Sequence, residues 1–414
     1  MALVKTALVS GLATFIKVIS AFVINKIVSV YVGPSGLALI GQLQNFSQLA
    51  TTIADGAISN GVTKYTAEYG EEDRRLPLLF STAIKISFAC SALASFGLII
   101  FSSQLSEYFL KTERYSYIFI VFGFTIVLFV MNNILISIVN GLKEISLWAK
   151  INITQSVYGL IFTSLLVIFF GLDGALLALV TNQSVIFFII IWFLWNHKII
   201  KFSKFKELFN RAEAKKLAAF SLMAFTTAAT LPVSQLIVRN HIGSNLSWTD
   251  AGYWQAIMYI STMYLLVVTS ALGVYYLPRL SEINDKSELR KELMYGYALV
   301  LPVVFIMGLA IFLLKDQIII IVFTKDFVAI RELFLWQLIG DFIKLAAWLI
   351  SYLMIAKAMT KAYVTTEILF SVNYVVLSVI FVDSFGLVGV TYAFSLNYFM
   401  YFLTMVVITR KYWI

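Results

Sequence analysis

The chain has 414 residues, 60% of them hydrophobic, 15% aromatic and only 13% charged, with a formal net charge of +9 and a mean hydropathy of +0.89. A soluble domain cannot hide that much apolar surface, so lipid is the solvent for most of it. The positive charge does not call for nucleic acid, because the basic residues are dispersed in short clusters between apolar runs, as in an oriented membrane protein.

Twelve apolar runs reach the roughly 20 residues that a bilayer-crossing helix needs. In chain order they are 8–32, 37–62, 78–103, 116–140, 148–170, 174–195, 217–240, 250–277, 294–314, 331–355, 362–382 and 387–409. Residues 1–32 read as one long helix without a small-residue cleavage site, so no cleavable signal peptide is expected. With both termini in the cytoplasm, the inward loops hold Arg74 and Arg75, Lys143 and Lys150, Arg279 with Lys286, Arg290 and Lys291, Lys357 and Lys361, and Arg410 and Lys411. That is the positive-inside arrangement. The long connection 196–216 adds Lys198, Lys201, Lys204, Lys206, Arg211, Lys215 and Lys216. It is either a solvated linker obeying the same rule or a site for anionic lipid.

The second half repeats the first. Gly171, Leu172, Gly174, Ala178 and Asn182 form a G-L-x-G-x3-A-x3-N pattern, and Gly386, Leu387, Gly389, Ala393 and Asn397 repeat it about 215 residues on. Gly36 and Gly252 form a further pair near helix starts. The expected fold is therefore an all-α polytopic membrane protein with two pseudo-symmetric six-helix lobes. Residues 1–195 and 217–414 form the lobes, and 196–216 is a cytoplasmic basic linker. Six spans per lobe is an even number, so the repeats share one orientation, related by an axis along the membrane normal.

Charges inside spans are the informative residues, since each costs about 2.5–3.5 kcal/mol at a helix centre. Lys17, Lys26, Asp55, Asp341, Lys344 and Glu367 lie there. In the first helix Thr6, Ser10, Ala13, Thr14, Lys17, Ser20 and Ala21 share a face, which reads as a wet wall or a tight contact. Lys26 points roughly the opposite way unless the helix bends, and otherwise snorkels to the interface. The second helix carries a stripe of Gly41, Gln44, Gln48, Thr51, Asp55 and Ser59, set against the alternative of interhelical hydrogen bonding. A further stripe joins Asn133, Ser137 and Asn140. In the second half Gln337, Asp341, Lys344 and Trp348 align. Asp341 and Lys344, spaced i,i+3, either neutralise each other or touch substrate. Glu367, with Tyr363 and Thr366, is either a proton or sodium site or the partner of a base.

Pro232 and Pro302 interrupt helical hydrogen bonding and are expected to kink their helices, as hinges or as packing features. Arg239 lines a cavity or marks the membrane edge, where Trp248, Tyr253 and Trp254 act as anchors. No G-x-x-x-x-G-K-[ST] motif is present, Cys90 is the sole cysteine, and His197 and His241 have no metal-ligand spacing, so no cofactor is expected. These features favour a transporter with a polar chamber. The rival readings are an ion-coupled exporter of cationic compounds, using the carboxylates, and a non-transporting partner of a polymerase complex.

An ordered series of segments resembles a known family. It comprises Val32-Gly33-Pro34-Ser35-Gly36-Leu37, Asn60-Gly61-Val62-Thr63-Lys64-Tyr65, Leu231-Pro232-Val233, Trp248-Thr249-Asp250, Tyr276-Leu277-Pro278-Arg279-Leu280 and Trp336-Gln337-Leu338-Ile339-Gly340-Asp341. The chain thereby resembles the Wzx-type O-antigen and lipid III flippases of the multidrug/oligosaccharidyl-lipid/polysaccharide exporter superfamily. The resemblance implies twelve helices around a central cavity in the bacterial inner membrane. It implies transfer of an undecaprenyl-pyrophosphate-linked oligosaccharide from the cytoplasmic to the periplasmic leaflet, with membrane lipids, a polymerase and a chain-length regulator as partners. Cavity residues are then expected among Lys17, Lys26, Gln44, Gln48, Asp55, Lys64, Arg239, Asp341 and Lys344, with basic side chains meeting the diphosphate. Asp55, Asp341 and Glu367 are the candidates for coupling to an H+ or Na+ gradient.

Overall fold

The computed structural model describes residues 2–70, 73–195, 205–272, 276–283, 285–357 and 359–413. Among them every regular element is helical. The first half runs α1 (Ala2–Tyr31), α2 (Gly33–Ala54), α3 (Ser59–Tyr69), α4 (Leu76–Ile100), α5 (Ser102–Leu110), a 3-10 turn (Glu113–Tyr115), α6 (Ser116–Gly141) and α7 (Ile145–Leu194). The second half runs α8 (Arg211–Asn245), α9 (Trp248–Ala271), α10 (Leu277–Glu282), α11 (Lys286–Leu313), α12 (Lys315–Val322), a 3-10 segment (Lys325–Leu333), α13 (Phe334–Ala356), α14 (Thr360–Phe385), a 3-10 turn (Gly386–Val388) and α15 (Gly389–Trp413). The order repeats down to its minor elements. Each half has a second helix followed by a short continuation, and each has a short helix plus 3-10 segment before its fourth long helix. Those short helices carry too little apolar length to stand out as spans.

Two compact units form, one from Met1–Val32 with Leu39–Pro232, the other from Gly33–Ala38 with Val233–Ile414. Among the described residues seven stretches are long and apolar enough to cross a membrane, or eight counting the bent α8. Two of the seven, Ile145–Leu194 and Thr360–Tyr412, run to 50 and 53 residues, more than twice a bilayer crossing. The expected second span falls below that apolar measure because α2 carries Gln42, Gln44, Asn45 and Gln48. Phe96, Phe124, Phe169 and Trp192 in the first unit, and Phe305, Ile321, Leu369 and Val407 in the second, are exposed, as a lipid-facing surface requires.

The repeated glycine motif reverses the chain within each of the two longest stretches. Gly171 has φ 56° and ψ −128°, and Gly386 has φ 65° and ψ −151°, a region open almost only to glycine. Three residues on, the chain passes close to the end of the helix that precedes the reversal. A Cβ on Gly174 would lie 1.9 Å from the Leu166 carbonyl oxygen, and one on Gly389 would lie 2.0 Å from that of Phe381. Ala178 and Ala393 are buried behind the turn. Asn373 Nδ2 donates to Asn397 Oδ1 at 2.8 Å, tying α14 to α15. In the first unit Asp173 adds an anchor, accepting from the Tyr117 hydroxyl at 2.6 Å and from Arg114 at 3.2 Å. Val388 occupies the matching place in the second copy, so that anchor is not duplicated.

The expected continuous second helix is broken. Gly56 and Ala57 take φ of 68° and 54° between α2 and α3. Asp55 caps the break, its Oδ1 accepting from the Ala57 amide at 2.6 Å and its Oδ2 from the Ser59 hydroxyl at 2.7 Å. Ser87 of α4 donates to the Asp55 carbonyl at 3.2 Å. A hydropathy pattern does not register this, because the freed backbone groups are satisfied locally and the apolar run continues across the break.

Pro232 and Pro302 both lie inside helices. The bend in α8, 42°, falls between Arg211–Ala219 and Ala224–Asn245, upstream of Pro232. A proline disturbs the turn that precedes it, so Pro232 does not account for that bend.

Candidate functional site

In the second unit a polar cluster assembles on α13, where Gln337, Asp341 and Lys344 share one face. Asp341 is fully buried. Its Oδ1 accepts from the Ser261 hydroxyl at 2.6 Å and from Gln337 Nε2 at 3.3 Å, and its Oδ2 accepts from the Tyr264 hydroxyl at 3.0 Å. With three neutral donors the carboxylate needs no adjacent base to be satisfied. The Lys344 ammonium turns to aromatic faces instead, 4.7 Å from the Trp348 ring centroid, 5.4 Å from Tyr398 and 5.7 Å from Phe394. The direct i,i+3 ion pair is thus not made. Asp341 and Glu367 both act on Lys344 electrostatically, and Glu367 accepts from the Tyr401 hydroxyl at 3.2 Å.

Arg239 is buried in the same unit. It donates to Gln255 Oε1 and lies 5.2 Å from the Trp254 ring centroid. Trp254 is itself buried, at 1% exposure, so it packs the interior of the unit and does not anchor an interface.

In the first unit Lys17 on α1, Gln44 and Gln48 on α2, and Lys64 on α3 are exposed, and Lys26 is half-buried. The stripe on α2 divides: Gly41, Thr51 and Asp55 are buried, whereas Gln44 and Gln48 are open. The α2 amides Gln42 and Asn45, absent from the expected stripe, are buried. Within α6 and α7, Asn132 Nδ2 donates to Gln183 Oε1 at 2.8 Å.

A second cluster joins the end of the basic linker to the first unit. Tyr69 donates to the buried Glu213 at 2.7 Å and accepts from Lys216 Nζ at 2.6 Å, while Lys216 also reaches Glu213 at 3.0 Å. The Arg75 guanidinium stacks 4.1 Å from the Tyr69 ring centroid and pairs with Asp73, whose carboxyl its hydrogen bonds hold below the usual range. The Glu207 carbonyl accepts from Ser81 and Lys85, and Asn210 caps the start of α8. Tyr69→Phe removes two of the three bonds of this triangle and is expected to cost about 1–2 kcal/mol, read as lower thermal stability of the purified protein. The linker residues 196–204, with Lys198, Lys201, Lys204 and His197, lie outside the described residues.

Several of these partners carry no sequence signal. Ser261, Tyr264 and Tyr401 look like ordinary helix residues until the helices are packed together. The one legible cue is on α15, where Phe394, Tyr398 and Tyr401 recur at helical spacing.

The fold is similar to that of solved transporters of the MOP superfamily. The lipid II flippase MurJ in an inward closed conformation superposes with a TM-score of 0.73 at 17% identity, over 98% of this chain and 87% of that one. A MOP-superfamily transporter from Pyrococcus furiosus gives 0.72 at 14%, over 98% and 95%. An inward-facing multidrug resistance MATE family transporter gives 0.71 at 15%, over 95% and 94%. Residues 3–284 match the family described as Polysaccharide biosynthesis protein, and the chain belongs to that family. The Lipid III flippase of Escherichia coli (strain K12) is 29% identical over 405 residues, 97% of each chain, and that of Shigella flexneri matches equally. The resemblance seen in the ordered segments therefore holds over the whole chain.

Proposed function

We propose that the chain is a flippase that moves a polyprenyl-diphosphate-linked oligosaccharide from the cytoplasmic to the periplasmic leaflet of a bacterial inner membrane. The observation that carries this reading is the full-length likeness to the lipid III flippases, joined to a family defined by polysaccharide biosynthesis. Twelve crossings in two six-helix lobes complete the reading once the two longest stretches each count as two and α2, α8 and α9 each count as one. Both termini then lie in the cytoplasm, following the basic loops.

A diphosphate and its sugars cannot enter hydrocarbon bare, because each unsatisfied polar group costs several kcal/mol. Lys17, Lys26 and Lys64 serve as charge-assisted donors to the diphosphate, with Gln44 and Gln48 facing sugar hydroxyls. The prenyl tail stays in lipid. Asp55 and Arg239 support this machinery by fixing the α2–α3 break and the interior of the second unit. Alternating access moves the head group, and Pro232, the last residue of the first unit's α8 segment, is a hinge candidate together with Pro302. A polymerase and a chain-length regulator are the expected consumers of the product.

The test is complementation of strains lacking either the lipid III flippase or an O-antigen flippase, read as restored surface glycan and cleared glycolipid accumulation. Restoration in one strain supports the proposal, and failure in both at normal expression overturns the substrate class. In the strain that is restored, the Lys17→Gln/Lys64→Gln double variant is expected to cut glycan export about tenfold at unchanged protein level, the loss of two charge-assisted contacts. Normal export by that variant removes these lysines from the diphosphate site.

A further inference from the structure

Lys344 interacts electrostatically with two carboxylates, Asp341 and Glu367, yet pairs with neither among the described residues. Its ammonium has no hydrogen bond and no ion pair within 4.0 Å among the described residues, and three aromatic rings surround it. Asp341 and Glu367 are the acidic groups that act on it. Asp341 is occupied by Ser261, Tyr264 and Gln337, and Glu367 by Tyr401. The aromatic faces attract the ammonium through their quadrupoles, so it is held without being locked to one oxygen. Arg239, buried in the same unit, has Tyr259 and Tyr374 as electrostatic neighbours.

Oxygen groups gather at both carboxylates. The hydroxyls of Ser261 and Tyr264 and the Gln337 amide meet Asp341, the Tyr401 hydroxyl meets Glu367, and Gln337 Oε1 is a buried acceptor with no hydrogen-bond partner among the described residues. Oxygen-rich ligand sets of this kind suit a hard cation. An ammonium already beside the carboxylates repels a second cation.

We propose that Lys344 is the resident cation of this interior, a tethered ammonium standing where an inorganic monovalent cation would otherwise bind between Asp341 and Glu367. Two consequences follow. The unmodified protein does not take up Na+ at this site, and removing the ammonium exposes a Na+ site. For the flippase reading, on which only this last clause rests, sugar-lipid transfer does not draw on a Na+ gradient through Asp341 and Glu367.

The experiment uses the purified full-length chain in nanodiscs and radioactive Na+ as the probe, with no glycolipid present, so its failure is separate from failure of the substrate assignment. The unmodified chain and Lys344→Arg are expected to show no saturable Na+ binding. Lys344→Met, monodisperse in size-exclusion chromatography, is expected to gain saturable binding, lost again in Lys344→Met/Asp341→Asn. Saturable binding by the unmodified chain that Asp341→Asn abolishes overturns the proposal, and so does a folded Lys344→Met that binds none. If Lys344→Met does not fold, melting of the unmodified chain decides. Equal Tm in NaCl and choline chloride is the expected result, and a Na+-specific rise that Asp341→Asn removes is the contrary one.

Discussion

Gly389→Ala and Gly174→Ala are each expected to lower stability by about 3 kcal/mol, among the larger costs for adding a single methyl group. The methyl would sit 2.0 Å and 1.9 Å from a backbone carbonyl oxygen, that of Phe381 and Leu166 respectively. A backbone atom eight residues earlier, in the helix that precedes the reversal, cannot yield as a flexible side chain would, so the reversal itself has to open. Opening it separates the two halves of α7, or α14 from α15, and disturbs the Asn373–Asn397 bond in the second copy. Gly171→Ala and Gly386→Ala act by another route, paying about 1–3 kcal/mol for a backbone conformation that L-residues avoid. Gly97 and Gly308 supply the controls. They have open space where a Cβ would go, and alanine there is expected to change stability by no more than about 1 kcal/mol. Thermal unfolding of the purified variants in one lipid environment checks the ranking. Equal behaviour of Gly389→Ala and Gly308→Ala would contradict the close approach.

Asp341→Ala is the second change with a large expected effect, about 3–5 kcal/mol. Three buried donors, from Ser261, Tyr264 and Gln337, lose their acceptor together, and each orphaned group costs about 1–3 kcal/mol before relaxation. Lys344 also loses one of its two acidic neighbours. Asp341→Asn is expected to be milder, about 1–2 kcal/mol, since the amide keeps one acceptor and its new N–H can turn to the unpartnered Gln337 Oε1. Glu367→Gln should cost less again, with one hydroxyl contact at stake. The same unfolding measurement tests the order, and an Asp341→Ala variant as stable as Asp341→Asn would show that the donors find other acceptors.

Much of this molecule is legible in its sequence wherever a strong energetic penalty leaves a mark. Charges in apolar runs are costly, so Asp341, Lys344 and Glu367 stand out at once, and their convergence in one unit follows that logic. The glycine motif is legible for a related reason, because backbone geometry at Gly171 and Gly386 leaves little choice of residue. The break at Asp55 is not legible, since local capping hides it from any apolar count. The Asp341–Lys344 spacing reads as either an ion pair or a substrate contact, but the aromatic side chains of α15, remote in sequence, stand against the ammonium. Arg239 reads as an edge or cavity residue, and only the packed helices reveal its contact with Trp254 and Gln255.

The glycine reversals also constrain how such a chain can drift over generations. They are made by the backbone with no spare loop, so a single inserted codon there would rotate everything downstream by about 100° about the helix axis. Asn182 or Asn397 would swing away from its neighbour, and the apolar stripe would turn with it. Length changes among descendants of this gene should therefore be purged at 171–174 and 386–389.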